Sequence, residues 1–403
     1  MRTHLRSSLH RFDIRHLGAL PSLASNRLIG FAASNIIGMF FAIFLYEFFN
    51  MQLHWVLIWY IICYAIRIPL FIWAAKLFSK IGLTTSMMIA SVIWVGFYLT
   101  LYQMGRAPEV YPLFFLTLAM LLLAVLTVMY WAPFHVDFAK FSKKGKRGKQ
   151  VSSFYALNQI LQVTVPIIGA YLISTYSYEV AFLVGIVLVF ASMVPLMYIP
   201  QTRVTYEFGF FETFKKMVEP KYRWLTVSMM AHGAESVVST LIWPIFLFIV
   251  LKGDYLDVGL FAAAIVVVNI LLQLGIGRAL DKRPRKKLLK WGVDLYAVGW
   301  FGKALVDSVG GVFAASTFHS FGSIMMKTPL DTMMYEKAAD AGHYIDEFTT
   351  IREIALVLGR TIMLSVVLLI TTWLPITSAF VLAALVSFSI VLFAKVSGKE
   401  PVV

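Results

Sequence analysis

An ionisable side chain at mid-bilayer costs about 2.5–3.5 kcal/mol on insertion scales, so charges inside apolar runs are the first candidates for chemistry. Arg67 stands in such a run and shares a helical face with Tyr60 and Tyr64. A guanidinium with two phenols suits an anionic or aromatic ligand. Glu235 lies in His232-Gly233-Ala234-Glu235-Ser236, with Ser239 and Thr240 a turn further and Trp243-Pro244 beyond. His232, Glu235, Ser236 and Ser239 fall on one face, where a carboxylate in low dielectric can be loaded and unloaded by protons. Ser316, His319, Ser320, Ser323, Lys327 and Asp331 recur at steps of three or four. That stripe must face protein or water, and His319 is a second titrating candidate. Arg352, Glu353 and Arg360 lie near one face of another run. Arg360 sits about 20 Å into its helix and needs a partner: Glu235, Glu353 or the ligand. Arg352 with Glu353 reads as a fixed pair or gate. For each of these groups the alternative is a structural ion pair or a side chain snorkelling to the headgroups.

Neutral polar residues extend the set. Ser34 and Asn35 share one apolar run, while Asn158 with Gln162 and Asn269 with Gln273 are i, i+4 pairs that can face one cavity. Each pair serves equally as interhelical glue worth about 0.6 kcal/mol. The candidate substrate contacts are therefore Asn35, Tyr64, Arg67, Gln162, Glu235, Ser239, Asn269, Gln273, His319, Ser323 and Arg360. Other chemistry has no foothold. No phosphate-binding Gly-rich loop, zinc-protease helix or serine-hydrolase elbow occurs. The only cysteine is Cys63, so disulfides and Cys-based metal clusters are excluded and no cofactor is expected. His135-Val136-Asp137 is the nearest approach to a catalytic pair.

What must position these residues is a membrane-spanning bundle. Of 403 residues 60% are apolar and 14% charged, with mean hydropathy +0.79. A soluble domain has about half and a quarter. Twelve segments are long enough to span: 27–47, 54–75, 83–104, 110–135, 151–174, 179–199, 223–250, 257–279, 289–306, 312–336, 348–371 and 376–396. The weakest is 289–306, which holds Asp294 and Lys303. Every second connection is basic, whereas the opposite ones carry only Arg106 and Lys252. By the positive-inside rule both termini are cytoplasmic. The net charge of +14 reflects topology and attraction to anionic lipid rather than nucleic acid. The leader fits a short helix on the inner leaflet or an unstructured arm.

Residues 200–222 form the longest polar interruption after the leader and divide the spans six and six. Two echoes link the halves. Gly277-Arg278-Ala279-Leu280-Asp281-Lys282-Arg283-Pro284-Arg285-Lys286-Lys287 lies 202 residues after Ala75–Thr85, and Pro329 lies 196 residues after Pro133. Gly-x-x-x-Asp-Lys-x-x-Arg-Lys between two spans resembles the loop signature of the major facilitator superfamily, with Pro284 where a second glycine is usual. The earlier copy has Ser79 for the aspartate and Leu83-Thr84 for the basic pair. Twelve spans, cytoplasmic termini and a basic central linker fit that family over nearly the whole chain.

The resemblance implies an all-α fold of two pseudo-symmetric six-helix bundles that rock about a central cavity. It implies a gate role for Asp281, which would cap the fifth span near Gln150–Ser153. The expected organisation is an arm 1–26, bundles 27–199 and 223–396, a linker 200–222 and a tail 397–403. The expected function is secondary active transport of a small anionic or zwitterionic solute, proton-coupled through Glu235 and His319. Efflux of amphipathic drug-like compounds or lipids is the alternative, and a membrane enzyme using His135 and Asp137 the more distant one. Expected partners are a small-molecule substrate, a proton or other coupling ion and membrane lipids. The chain is expected as a monomer in a prokaryotic cytoplasmic membrane.

Overall fold

The computed structural model describes residues 18–142, 147–281 and 283–396, the side chains of 147–149, 152, 155 and 275–281 excepted. Within these residues every regular element is helical. Six rods form the first half: α1 Ala19–Phe48, α2 Leu53–Ile81, α3 Leu83–Arg106, α4 Pro112–Phe141, α5 Arg147–Thr175 and α6 Tyr178–Leu196. Six form the second: α7 Arg223–Val250, α8 Tyr255–Asp281, α9 Arg285–Leu305, α10 Val309–Asp340, α11 Gly342–Ile370 and α12 Ser378–Lys395. Ten are long and apolar enough to cross a membrane. The other two, α9 and α10, have the length, about 31 and 48 Å at 1.5 Å per residue. Their embedded Lys303, His319 and Lys327 make them more polar.

One boundary differs from expectation. The first rod starts at Ala19, so residues 19–26 of the expected arm belong to the bundle. Leu23 is fully buried, and Asn26 donates to the Ser192 carbonyl at 2.7 Å and accepts from the Tyr130 hydroxyl at 2.8 Å. Arg27 lies over the Trp131 ring, 4.5 Å from its centroid. Residues 1–17 and 397–403 lie outside the described residues.

Packing repeats between the halves. α1 packs on α6, α3 on α4 and α3 on α6; α7 packs on α12, α9 on α10 and α9 on α12. The halves meet along two long seams, α2–α11 and α5–α8, which exchange under a shift of six helices. The linker and the Lys/Arg-rich connections share one face of the bundle, here the basic face; the opposite one is the far face.

The first rod of each half is irregular at matching places. In α1 the ladder breaks at Ile36–Ile37, because Ser34 Oγ and Asn35 Nδ2 both donate to the Phe31 carbonyl, at 3.0 and 2.9 Å. In α7 a π-turn spans Val238–Ile242, 202 residues after the α1 break, and Trp243 N donates five residues back to Val238. Pro244 has no N–H for the Thr240 carbonyl, which favours the widened turn. Elsewhere the ladder is repaired. Pro133 frees the Met129 carbonyl, which accepts from Ser86 Oγ at 2.7 Å.

Two glycines fix the α7–α11 contact. A Cβ at Gly233 would lie 2.0 Å from the Leu356 carbonyl oxygen, and one at Gly359 would lie 1.9 Å from that of Met230. Gly359→Leu is therefore expected to overpack this contact and cost at least about 1–3 kcal/mol. Thermal unfolding in detergent would show it as a fall in Tm.

The linker is stitched to both halves. Gln201 Nε2 donates to the Ile81 carbonyl at 2.6 Å, Leu83 N to the Thr202 carbonyl at 2.9 Å, and the Thr202 hydroxyl to Asp137. On the other side Glu207 N donates to Glu347 Oε1 at 2.8 Å, and Glu207 Oε1 meets His343 Nε2 at 2.6 Å. A short helix, Phe210–Val218, follows, with Glu212 Oε2 accepting from Gly209 N at 3.0 Å.

Candidate functional site

The α2–α11 seam brings cations together at mid-depth. Arg67 is 4% exposed; its Nη2 lies 3.2 Å from Cys63 Sγ, and its Nε is buried without a partner. Its guanidinium carbon lies 4.8 Å from the Tyr64 ring centroid. Arg360 reaches the same ring at 5.6 Å, with its Nε 3.5 Å from Ser236 Oγ. One phenol thus carries a guanidinium from each half. Neither has a carboxylate within ion-pair distance among the described residues. Through that shared centroid the two lie no more than about 10 Å apart, where at an effective dielectric of 20 they repel by at least about 1.6 kcal/mol. An anion between them would turn that repulsion into attraction.

Glu235 does not serve Arg360. It is fully buried and committed to His232 Nδ1 at 2.7 Å and to the Tyr296 hydroxyl of α9. His319 stacks beside Tyr296 and Trp300, with ring centroids at 4.2 and 4.4 Å. The Lys303 ammonium sits 3.7 Å from the Trp243 centroid and 4.6 Å from that of Trp300, and the residue is 3% exposed. These titratable groups form a cluster inside the second half, between α7, α9 and α10. Tyr296 and Lys303 escaped the sequence reading. Lys303 was visible as a charge that weakened a span, and it could have been treated like the other embedded charges.

The remaining candidates scatter. Asn35 serves the α1 break, and Ser239 lies in the π-turn of α7. Asn158 and Asn269 are buried, one on each of the two helices that form the α5–α8 seam. Gln162, Gln273 and Ser323 are half-buried along α5, α8 and α10. Asp281 ends α8, and its side chain lies outside the described residues.

Both faces are bridged between halves. At the far face, Glu47 of α1 accepts from the Tyr255 hydroxyl of α8, and Tyr178 of α6 completes the triangle. Its hydroxyl lies 3.4 Å from Glu47 Oε2 and 3.2 Å from the Tyr255 hydroxyl. These residues line a recess of about 390 Å³ with Phe48, Met104 and Glu179. At the basic face His135 Nδ1 of α4 meets the Tyr335 hydroxyl of α10 at 2.9 Å, and its Nε2 lies 3.7 Å from Glu353 of α11. Glu353 also accepts from Arg352. The Arg352–Glu353 pair therefore touches the opposite half through His135. His135 and Asp137 are spent on separate contacts, to α10 and α11 and to the linker, rather than on each other.

Helix order, repeated packing and paired seams make a two-bundle carrier architecture. The family model described as Major Facilitator Superfamily matches residues 23–359. The chain belongs to that superfamily. The human organic anion transporter MFSD10 superposes with a TM-score of 0.67 at 11% identity, over 93% of this chain and 98% of that one. The E. coli fucose:proton symporter FucP gives 0.67 at 12%, over 95% and 98%. A POT family transporter in complex with 5-aminolevulinic acid gives 0.66 at 12%, over 94% and 95%. At such identities the likeness is one of fold. No curated protein sequence matches the chain. The superfamily fold makes the chain a multi-pass membrane protein of transporter type.

Proposed function

We propose that this superfamily member moves a small anionic or zwitterionic solute by alternating access, coupled to protons. The carrying observation is the Arg67–Tyr64–Arg360 arrangement: two guanidiniums from opposite halves, at mid-depth, without carboxylate partners among the described residues. Buried cations left unpaired are costly, and an anionic ligand removes the cost. The organic anion transporter and the POT family transporter in complex with 5-aminolevulinic acid among the structural neighbours agree with that choice. In this reading residues 19–199 and 223–396 rock about the two seams. Glu47–Tyr255 closes the far side, and His135–Tyr335 with Arg352–Glu353 closes the cytoplasmic side, with Asp281 as a further gate there.

Glu235 is the proposed proton carrier, with His232 and Tyr296 as its partners and Lys303 as the cation nearby. His319, packed on Tyr296, belongs to the same cluster. A sealed site in one half can bias the equilibrium between halves without touching the solute. Proteoliposomes containing the protein should accumulate a labelled carboxylate under a pH gradient. Glu235→Gln should cut that accumulation at least tenfold, while exchange between equal internal and external pools continues. Gradient-driven accumulation unchanged in this variant would remove Glu235 from the coupling. Conversion of the solute to product in detergent would remove the transport reading itself.

A further inference from the structure

The two seams occupy equivalent places in the fold but carry different chemistry. Arg67 of α2 and Asn269 of α8 stand 202 residues apart, as do Asn158 of α5 and Arg360 of α11. The same interval separates the α1 break from the α7 π-turn. The shift that carries the first half onto the second thus exchanges the arginine seam with an asparagine seam.

The asparagines share a level. A Cβ at Gly259 of α8 would lie 2.6 Å from Ala170 Cβ and 3.0 Å from the Pro166 carbonyl oxygen of α5. Ten residues towards the basic face from that contact are Asn269 on α8 and positions 156–160 on α5, which include Asn158. Each asparagine spends its amide nitrogen on its own helix, Asn158 on the Phe154 carbonyl at 3.2 Å and Asn269 on that of Ile265 at 2.7 Å. These bonds fix which atom is left over. Both Oδ1 atoms are buried without a donor, in residues 5% and 1% exposed. On the opposite seam the leftover atom is a donor, Arg67 Nε, while one turn beyond Asn269 on α8 Gln273 Nε2 is left over as well. Buried polar atoms of this kind are normally satisfied, and an external donor would satisfy the two asparagine oxygens.

We propose that the two seams form one two-ended site for a zwitterion. Its anionic end lies on Arg67 and Arg360 across Tyr64, and its ammonium or other N–H donor lies on Asn158 and Asn269. The proposal rests on the anion reading and narrows it, because a simple anion satisfies one seam and leaves both asparagine oxygens unspent. A near-symmetric scaffold with unlike seams holds an unsymmetric ligand in one orientation.

Thermal unfolding of the purified full chain provides the test. Three series serve as probes: ω-amino acids from glycine to 6-aminohexanoate, carboxylates from acetate to hexanoate, and amines from methylamine to hexylamine. At least one amino acid is expected to raise Tm at a tenfold lower concentration than its matched carboxylate or amine. Asn269→Leu should erase that preference while the carboxylate response survives, and Arg67→Gln should erase both responses. Asn269→Asp, which places a charge opposite the ammonium, should increase the preference and covers the case in which the leucine variant fails to fold. A carboxylate acting as well as its amino acid overturns the two-ended site and leaves the anion reading standing. A response to amines alone, or to no probe, overturns both.

Discussion

Arg67→Gln is expected to abolish anion-dependent stabilisation and transport while leaving the ligand-free protein as stable as the parent, or more so. The two halves of this expectation have different physical origins. Truncating one member of a buried, hydrogen-bonded charge contact costs a complex about 2–5 kcal/mol, or about 30-fold to more than 1,000-fold in affinity. In the ligand-free chain the same change breaks no ion pair. It removes one of two like charges on Tyr64 and an orphan Nε. A structural salt bridge would behave oppositely, because deleting one partner strands the other. Tm with and without a carboxylate probe separates the cases. A clear fall in ligand-free Tm with the anion response retained would make Arg67 structural. Arg360→Gln should follow the same pattern, with a smaller response because Arg360 is only half-buried.

Tyr255→Phe should unlatch the far face. The hydroxyl removed makes one hydrogen bond to Glu47 and one to Tyr178 across the halves. A bond to an ionisable group is worth about 1.5–3 kcal/mol, so the balance between closed and open states should move about 10- to 150-fold. Met104 lines the recess under this triangle. A cysteine placed there should react with a membrane-impermeant maleimide at least tenfold faster in Tyr255→Phe than in the parent. Background is low because Cys63, the one native cysteine, is buried. Equal rates would show that the triangle does not hold this face shut.

The sequence reading found Arg67, Tyr64 and Arg360 because the cost of embedding charge is local and needs no partner to be recognised. It failed on who meets whom. Glu235 was offered to Arg360, but successive residues on a helix turn by about 100°. Gly233 faces α11 at backbone contact, so Ser236 comes round to Arg360 and Glu235 points away to Tyr296. Only the close approach of Gly233 and Gly359 fixes that rotation, and glycine spacing alone does not announce it. The far-face triangle was missed for another reason. Glu47, Tyr178 and Tyr255 sit in terminal turns, where charge and phenol are ordinary. The two irregular first rods were half legible: Pro244 marked α7, while α1 breaks through side-chain competition at Phe31 that no breaker residue signals.

The stitched linker has a mechanical consequence. Its last hold on the first bundle is at Arg203, whose carbonyl accepts from Lys140 Nζ at 3.2 Å, and its first hold on the second is at Glu207. Four residues of fully stretched chain reach no more than about 14 Å. While both holds last, this short tether acts as a door chain: in the proposed rocking cycle it sets a hard stop on how wide the basic face can swing open, and hence on the bulk of any cargo that would leave through it.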